Sequence, residues 1–229
     1  AFDRPVEASF TSVRVVDPPS GLLDTVGGST IWLDGNLAWM SAFELPVVTV
    51  GGRRCRSDRW ADVQVLECVA PPGEGAGFAL EVTVTNPFLP TSSFQLNDSS
   101  MRVSYAPPVV QFVLPDADLP ADGSQPVRVL GRYFGVRADA AAEVFLNGTL
   151  LTGCTRLSDA EVRCLLPPTQ GANVPLRVRV GAQESDPVPI SFRSPVVTRV
   201  EPPVVLPANG SVTQSFLLHG SGFEGGLVG

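Results

Sequence analysis

The sequence lacks lysine and contains a single histidine. Its 16 basic residues, all of them arginine, are outnumbered by 23 acidic residues, so the formal net charge is −7. The arginines form no basic stripe that could follow a phosphate backbone, and nucleic acid is therefore not an expected partner. No apolar run approaches the roughly 20 residues of a membrane-spanning helix, so we expect no direct membrane insertion by this segment.

The periodicity of an amphipathic helix is also missing. Short valine-rich runs recur instead, with apolar residues at every second position. Glycine and proline, with 22 residues each, separate these runs, and the 229 residues are enough to bury one large core or two ordinary ones. The pattern predicts an all-β fold of many short strands joined by turns.

A short strand that ends in proline opens three successive repeats. Its copies are Val13–Pro18, Val110–Pro115 and Val197–Pro202. A second strand ending in glycine follows each copy. In the two complete repeats a hairpin comes next, and its two-residue turn is Gly51-Gly52 in the first repeat and Asn147-Gly148 in the second.

Seven or so strands in about 90 residues predict an immunoglobulin-like β-sandwich for each complete repeat. We assign residues 11–106 to the first domain and 107–194 to the second, arranged end to end. Residues 1–10 are interpreted as the end of a preceding repeat and 195–229 as the start of an incomplete third, so both chain ends are expected to lie within a repeat. The short junctions contain proline, which predicts a semi-rigid, rod-like arrangement.

Two cysteine segments follow the hairpins, and each ends in Pro-Pro. Neither pair has the Cys-x-x-Cys spacing of a metal site, and the histidine lies far away in the sequence. We therefore predict the disulfides Cys55–Cys68 and Cys154–Cys164 and no metal site. Such bonds persist outside the cytosol, so we expect an extracellular or cell-surface protein.

Catalysis is not expected. Ser-His-Asp and Cys-His mechanisms need a histidine, and His219 lies outside both complete repeats. All four cysteines are assigned to disulfides, and no pair of carboxylates recurs between the repeats. The sequence therefore predicts a protein that is not an enzyme and has no cofactor.

Both complete repeats resemble the IPT/TIG domain, an immunoglobulin-like module of the E-set type. The resemblance rests on the strand Pro195–Pro202, the Val-x-Val-Gly-Gly-x-x-Cys hairpin that ends at Cys55, the Pro-Pro-Gly turn and the final Ser-Tyr or Ser-Phe strand. This family includes domains of plexins, Met-type receptors, fibrocystin and some transcription factors. The second repeat departs from the pattern, because it lacks the tryptophan of the cysteine segment and has Asn-Gly in place of Gly-Gly.

The resemblance implies a scaffolding or interaction module of a large cell-surface or extracellular glycoprotein. The DNA-binding branch of the family uses basic loops, which this acidic chain does not reproduce. Three Asn-x-Ser/Thr sequons support a secreted glycoprotein, although so short a motif also occurs by chance. We expect all three in turns or loops, with the tightest turn at the second. They are Asn97, Asn147 and Asn209.

One basic cluster lies in the first hairpin and its cysteine segment. It consists of Arg53, Arg54, Arg56 and Arg59, followed by Trp60. A solvated hairpin surface is one interpretation. The other is a contact for an acidic protein or for a sulfated or uronic glycan, because arginine pairs well with such groups. Tryptophans of a β-sandwich usually lie in the core. We expect Trp32 and Trp39 to follow this rule and Trp60 to be the exception.

An aspartate-rich string, Asp116–Asp122, is the one segment that resembles a calcium loop. It lacks the later ligands and the closing glutamate of an EF-hand loop. We interpret it as a solvated loop between the first two strands of the second domain. Calcium at a joint between domains is the alternative.

These observations predict a non-catalytic, rod-like structural or assembly segment of a larger protein. Its expected partners are other proteins or copies of the same chain, and also glycans. Alternatives are the ligand-binding segment of a plexin-like or Met-like receptor and an accessory domain of a secreted carbohydrate-active enzyme. The arginine-only composition also suggests a flagellar or ciliary surface filament. The start at Ala1 has no signal peptide, so we expect a piece of a longer precursor.

Overall fold

The computed structural model of the protein describes residues 9–36, 46–62, 64–86, 89–137, 141–201 and 217–223. All regular secondary structure within these ranges is β-strand. The described residues accordingly contain no helix that could cross a membrane. The all-β prediction is confirmed.

The first sandwich consists of eight strands in two antiparallel sheets. The strands are β1 (Ser9–Asp17), β2 (Thr30–Asn36), β3 (Val47–Val50), β4 (Arg53–Arg54), β5 (Ser57–Asp62), β6 (Val65–Val69), β7 (Phe78–Asn86) and β8 (Leu89–Val103). One sheet has the order β1-β2-β6-β5, and the other has the order β4-β3-β7-β8. Every second side chain of a strand points inward, and these side chains form the core between the two sheets. Val48 on β3 and Leu66 on β6 are examples, and both are fully buried. Each such side chain contributes about 1.5–3 kcal/mol to folding.

The second sandwich repeats this plan. Its strands are β9 (Val109–Leu114), β10 (Pro126–Arg132), β11 (Ala142–Leu146), β12 (Thr149–Leu150), β13 (Cys154–Ser158), β14 (Glu161–Leu165), β15 (Val174–Val180), β16 (Gln183–Glu184) and β17 (Val188–Ile190). The orders are β13-β14-β10-β9 and β12-β11-β15-β16, with β17 paired to β15. The core of this sandwich is separate from the first and includes Val127, Phe134 and Val162.

Matching details relate the two sandwiches. Leu23 forms an isolated parallel bridge with Tyr105, and Leu119 forms the same bridge with Phe192. Each bridge ties the loop after the first strand to the end of the domain. These matches, together with the sheet orders, confirm the predicted tandem immunoglobulin-like fold.

The tail forms a two-stranded sheet of β18 (Val196–Glu201) and β19 (Leu217–Ser221). Its apolar residues remain exposed, with 53% for Val196 and 60% for Leu217. The glycine near the end of the second strand of each repeat recurs here as Gly220. A Cβ on Gly220 would lie 1.9 Å from the Val196 carbonyl oxygen, and one on Gly131 would lie 2.0 Å from that of Val109.

The start of the described chain differs from the expectation. The sequence pattern assigns Ser9 and Phe10 to a preceding repeat. In the structure, β1 begins at Ser9, and its first two residues pair with Asn36 and Gly35 of β2. The first strand of the sandwich is therefore longer than the Val13–Pro18 motif indicates, because β2 offers backbone partners beyond that motif.

Candidate functional site

Four side chains form a row across the outer face of the first sheet. The backbone register places Arg14 opposite Trp32 on β2, Trp32 opposite Glu67 on β6, and Glu67 opposite Arg59 on β5. Directly opposed residues in a sheet point to the same face. We call these four residues the Trp32 row.

The Trp32 row is joined by side-chain contacts from one end to the other. The Arg14 guanidinium carbon lies 5.2 Å from the Trp32 ring centroid. The indole Nε1 of Trp32 donates to Glu67 Oε2 at 3.3 Å, and Arg59 binds Glu67 Oε1 through Nε and Nη2, both at 2.8 Å. The Arg59 hydrogen bond holds the pKa of Glu67 below its usual range, and the Trp32 bond acts in the same direction.

Trp32 is not the core residue that we expected. Its neighbours Ile31 and Leu33 point inward and are 0% and 1% exposed, so strand alternation turns Trp32 outward. Trp39 lies outside the described residues. The backbone of Trp60 pairs with Leu66 in the β5–β6 ladder, but its side chain lies outside the described part of the structure.

The predicted arginine cluster divides among separate partners. Arg53 Nη1 donates to the Pro72 carbonyl oxygen at 2.8 Å, at the Pro-Pro turn. Arg54 pairs with Asp58 at 3.5 Å, and Arg59 belongs to the Trp32 row. Arg56 is exposed. The structure therefore does not bring the four arginines together as one cationic surface, since three of them contact different acceptors.

Both cysteine pairs form disulfides, with different strand geometry. Cys55 precedes β5 and joins Cys68 of β6, with 5.7 Å between their Cα atoms. Cys154 begins β13 and lies directly opposite Cys164 of β14, with a Cα separation of 4.0 Å. In both domains the second cysteine is fully buried in the core. Cys55 is also buried, at 4% exposed, so the first disulfide lies within the core, whereas Cys154 lies on the edge strand β13.

The three sequons lie in different settings. Asn147 is exposed at the β11–β12 turn. Asn97 is not in a loop as predicted, because its backbone pairs with Glu81 within the long strand β8. The sequon was expected in a turn or loop, but β7 supplies a pairing partner there. The Asn97 side chain and all of Asn209 lie outside the described residues.

The aspartate string forms the loop between β9 and β10, as predicted. Its carboxylates do not converge, and among the described residues no group of three or more His, Cys, Asp or Glu side chains is placed to hold a metal ion. Asp122 Oδ1 accepts a hydrogen bond from Ser124 N at 2.9 Å, which lowers the pKa of Asp122. The Asp116 backbone carbonyl accepts a bond from Ser191 N.

A contact between the two sandwiches was missed by the sequence analysis. Thr25 Oγ1 of the first sandwich donates to Asp159 Oδ1 of the second at 2.7 Å. The same oxygen accepts Gly135 N at 2.8 Å, which holds the carboxylate in place. Thr25 is 0% exposed and Asp159 is partly exposed, so this hydrogen bond is part-buried.

Further contacts surround this hydrogen bond. Gln183 Nε2 donates to the Tyr105 carbonyl oxygen at 3.1 Å, and Arg137 Nη1 lies 3.8 Å from Glu74 Oε2. A methyl group on Gly181 would lie 3.6 Å from the Gly75 Cα atom. These residues form what we call the interdomain joint: Thr25, Glu74, Gly75 and Tyr105 on one side, and Gly135, Arg137, Asp159, Gly181 and Gln183 on the other.

Tyr105 connects the joint to the first core. Its hydroxyl donates to the Pro71 carbonyl oxygen at 2.9 Å, and its ring packs edge-on against Phe78. Burial raises the pKa of Tyr105 to about 12; Arg53 opposes this shift and Glu74 adds to it. The sequence held one relevant signal, Ser158-Asp159 before the second cysteine. It could not show that the partner of Asp159 is Thr25.

The chain is similar to a known domain family and to several solved structures. The sequence model of the IPT/TIG domain family matches residues 12–100 and 108–192. The surface glycan-binding protein PbSGBP-B from Prevotella bryantii aligns with 80% of this chain and 41% of its own, with 13% identity and a TM-score of 0.47. The full extracellular region of plexin A4 aligns with 86% of this chain and 16% of its own, with 15% identity and a TM-score of 0.36.

A third similar structure is the I9-I11 tandem of titin. It aligns with 81% of this chain and 66% of its own, with 9% identity and a TM-score of 0.32. This chain spans less than half the length of the glycan-binding protein and of the plexin region. No curated protein matches the sequence.

Proposed function

Because this chain belongs to the IPT/TIG domain family, with two tandem domains, we propose that it is a non-catalytic extracellular structural and assembly module. In this proposal the interdomain joint holds the two domains in one relative orientation. The partners are other proteins or further copies of the chain. The domain boundaries at residues 106 and 194, and the rod-like arrangement, are part of the same proposal.

The Thr25–Asp159 hydrogen bond, part-buried between the two sandwiches, is the observation that carries the proposal. Domains of one chain are expected to move relative to each other unless contacts between them restrict that motion, and this bond is such a contact. A charged acceptor makes this bond stronger than a neutral one. The contacts of Gln183 with Tyr105 and of Arg137 with Glu74 restrict the same joint from two further positions.

The extracellular placement is supported by the two disulfides. Disulfides of this kind form and persist in oxidising compartments and are rare in the cytosol. A surface filament of a flagellum or cilium is a prediction from composition, and the accessory domain of a secreted carbohydrate-active enzyme is a further alternative.

Nuclear spin relaxation of the backbone amides tests the fixed joint. In the wild-type chain, we expect one rotational diffusion tensor to describe both domains. Thr25→Val keeps the shape of the side chain but removes the hydroxyl donor, so the domains should begin to tumble separately. Thr49→Val, which lies on β3 away from the joint, is the matched control. Independent tumbling of the wild-type domains would refute the proposal.

A second function, contact with an anionic partner, is favoured by the Trp32 row. Arg59 is 67% exposed, and the row places two arginines beside a partly buried tryptophan. Retention on immobilised heparin measures this function with a sulfated glycan. The double variant Arg14→Gln and Arg59→Gln should elute at lower salt than the wild type, whereas Arg193→Gln should not. Equal elution of all three proteins would exclude a role for the row in such binding.

A further inference from the structure

The outer face of the β12-β11-β15-β16 sheet carries a groove of about 450 Å³. This volume is within the range of sites that bind small molecules. The groove is lined on one side by Phe145 and Asn147, and on the other by Pro175, Arg177 and Glu184. Arg179 also lines the groove, so an aromatic ring, three charged groups and a sequon asparagine meet in one concave surface.

Strand alternation places Phe145 and the sequon on this face. Val144 and Leu146 point into the core and are 0% and 4% exposed, so Phe145 between them points outward. Asn147 and Gly148 follow as a two-residue turn with φ angles of 48° and 79°. Asparagine and glycine tolerate this left-handed conformation better than other residues. The turn leaves the Asn147 side chain exposed where it lines the groove.

The Phe145 ring is held in place by charged neighbours. The Arg179 guanidinium carbon lies 4.5 Å from the ring centroid. Arg179 is itself fixed by Glu143, with Nε and Nη2 at 2.8 and 2.7 Å from Glu143 Oε2. On the opposite side, Arg177 lies 3.5 Å from Glu184. The groove is thus formed before any ligand arrives.

We propose that Asn147 is an N-glycosylation site whose first sugar units lie in this groove against Phe145. A pyranose ring has an apolar face of C–H groups and a rim of hydroxyls. The apolar face suits the phenylalanine ring, and Arg177 and Glu184 supply a donor and an acceptor for the hydroxyls. The occupant is covalently attached at the edge of the groove, so little translational freedom is lost when the sugar binds there.

The chemistry is that of oligosaccharyl transfer. Asn147 Nδ2 forms a bond to the anomeric carbon of an N-acetylglucosamine, and the bond between that carbon and a lipid pyrophosphate breaks. The proton lost from the amide leaves with the pyrophosphate group. The donor is a lipid-linked oligosaccharide, and Thr149 completes the acceptor motif. The inference rests on the proposed extracellular function, since this reaction belongs to the secretory pathway.

In the experiment a leader sequence directs the chain into the secretory pathway. A negative result would therefore leave the proposed extracellular location and the interdomain joint untouched. The full chain is expressed with a leader sequence in a eukaryotic secretory host. Mass spectrometry of peptides then measures occupancy at Asn147. Proton NMR of the glycan measures ring-current shifts, because sugar protons above a phenylalanine ring move upfield. Thr149→Ala removes the glycan but keeps Asn147, and Phe145→Leu keeps the sequon but removes the ring.

We expect a glycan at Asn147, upfield sugar protons in the wild type, and loss of those shifts in Phe145→Leu. The glycan should also raise the Tm of the second domain by a few degrees over Thr149→Ala, and this gain should vanish in the Phe145→Leu background. Arg177→Ala, at the rim of the groove, should reduce the gain and serves as a second variant if Phe145→Leu misfolds. An unmodified Asn147, or identical sugar shifts with and without the ring, would overturn the proposal.

Discussion

The hydroxyl of Thr25 donates a hydrogen bond to Asp159 across 134 residues of sequence and between two separate cores. Each residue also makes a bond within its own sandwich, where the Thr25 carbonyl oxygen accepts Gly73 N and Asp159 Oδ1 accepts Gly135 N. Thr25 lies in the loop before β2, and Asp159 lies in the turn between β13 and β14. The Thr25–Asp159 hydrogen bond links the two domains, and removing it should measurably weaken the coupling between them.

Asp159→Ala tests this coupling thermodynamically. It leaves both Thr25 and Gly135 without their acceptor, and buried donors without a partner are destabilising. We expect the free energy of unfolding to fall by about 2 kcal/mol in urea denaturation. Asp159→Asn keeps an acceptor oxygen and should cost less. Asp116→Ala, an exposed aspartate in the same domain, is the control. Equal costs for Asp159→Ala and Asp116→Ala would contradict the role of the joint.

Glu67 should make the first domain sensitive to acid. Its folded pKa is lowered, so it contributes stability above the unfolded pKa of about 4.3 and loses it as the pH falls through the folded pKa. Glu67→Gln should therefore cost stability at pH 7, by less than about 1 kcal/mol because Arg59 is exposed. The difference from the wild type should shrink in urea titrations below about pH 4. Glu81→Gln is the control. If the difference in stability between Glu67→Gln and the wild type grew at acidic pH, the direction assigned to the Glu67 pKa shift would be wrong.

Gly131→Ala should destabilise the second domain. A Cβ there would lie 2.0 Å from the Val109 carbonyl oxygen and 2.6 Å from the Phe134 ring, and backbone cannot move aside as a side chain can. We expect a loss of about 2 kcal/mol or more in thermal unfolding. At Gly21 no atom lies within 4 Å of the added Cβ, so Gly21→Ala carries only the cost of its positive φ, about 1 kcal/mol. Similar losses for both variants would argue against the close approach.

Tyr105 should make the first domain sensitive to alkali. Its folded pKa is raised to about 12, so its contribution is present below the unfolded pKa and is lost as the pH rises through the folded one. Stability should fall between about pH 10, the unfolded value, and pH 12. Tyr105→Phe should abolish this fall and cost about 1 kcal/mol at pH 7 through the lost bond to Pro71. Absorbance of the phenolate, with Tyr133→Phe as control, measures the titration. A Tyr105 phenol that titrates near pH 10 would contradict it.

The fold was predictable because local signals agreed along the chain. The Gly51-Gly52 and Asn147-Gly148 turns close the hairpins that the sequence predicts, with Val50 opposite Arg53 and Leu146 opposite Thr149. Period-two alternation correctly separates buried from exposed residues on strands such as β14. The family resemblance followed from the same positions and is confirmed by the family match.

The functional surfaces were less predictable, because they depend on partners that only the fold selects. Trp32 was expected in the core on residue type, although alternation with Ile31 and Leu33 places it outside. The arginine cluster is contiguous in sequence but divided among three acceptors in space. Asn97 was expected in a turn or loop, because the sequence did not reveal the length of the β7–β8 ladder. The Thr25–Asp159 bond left no pattern in the chain.

Phe192 takes the position in the second domain that Tyr105 takes in the first, as the matching bridges to Leu119 and Leu23 show. Phenylalanine has no hydroxyl, so the hydrogen bond that connects Tyr105 to the Pro-Pro turn has no counterpart there. The two domains therefore share one fold but hold their Pro-Pro turns differently. Exchanging their order would separate Thr25 from Asp159, so the order of the repeats is itself a structural property of the protein.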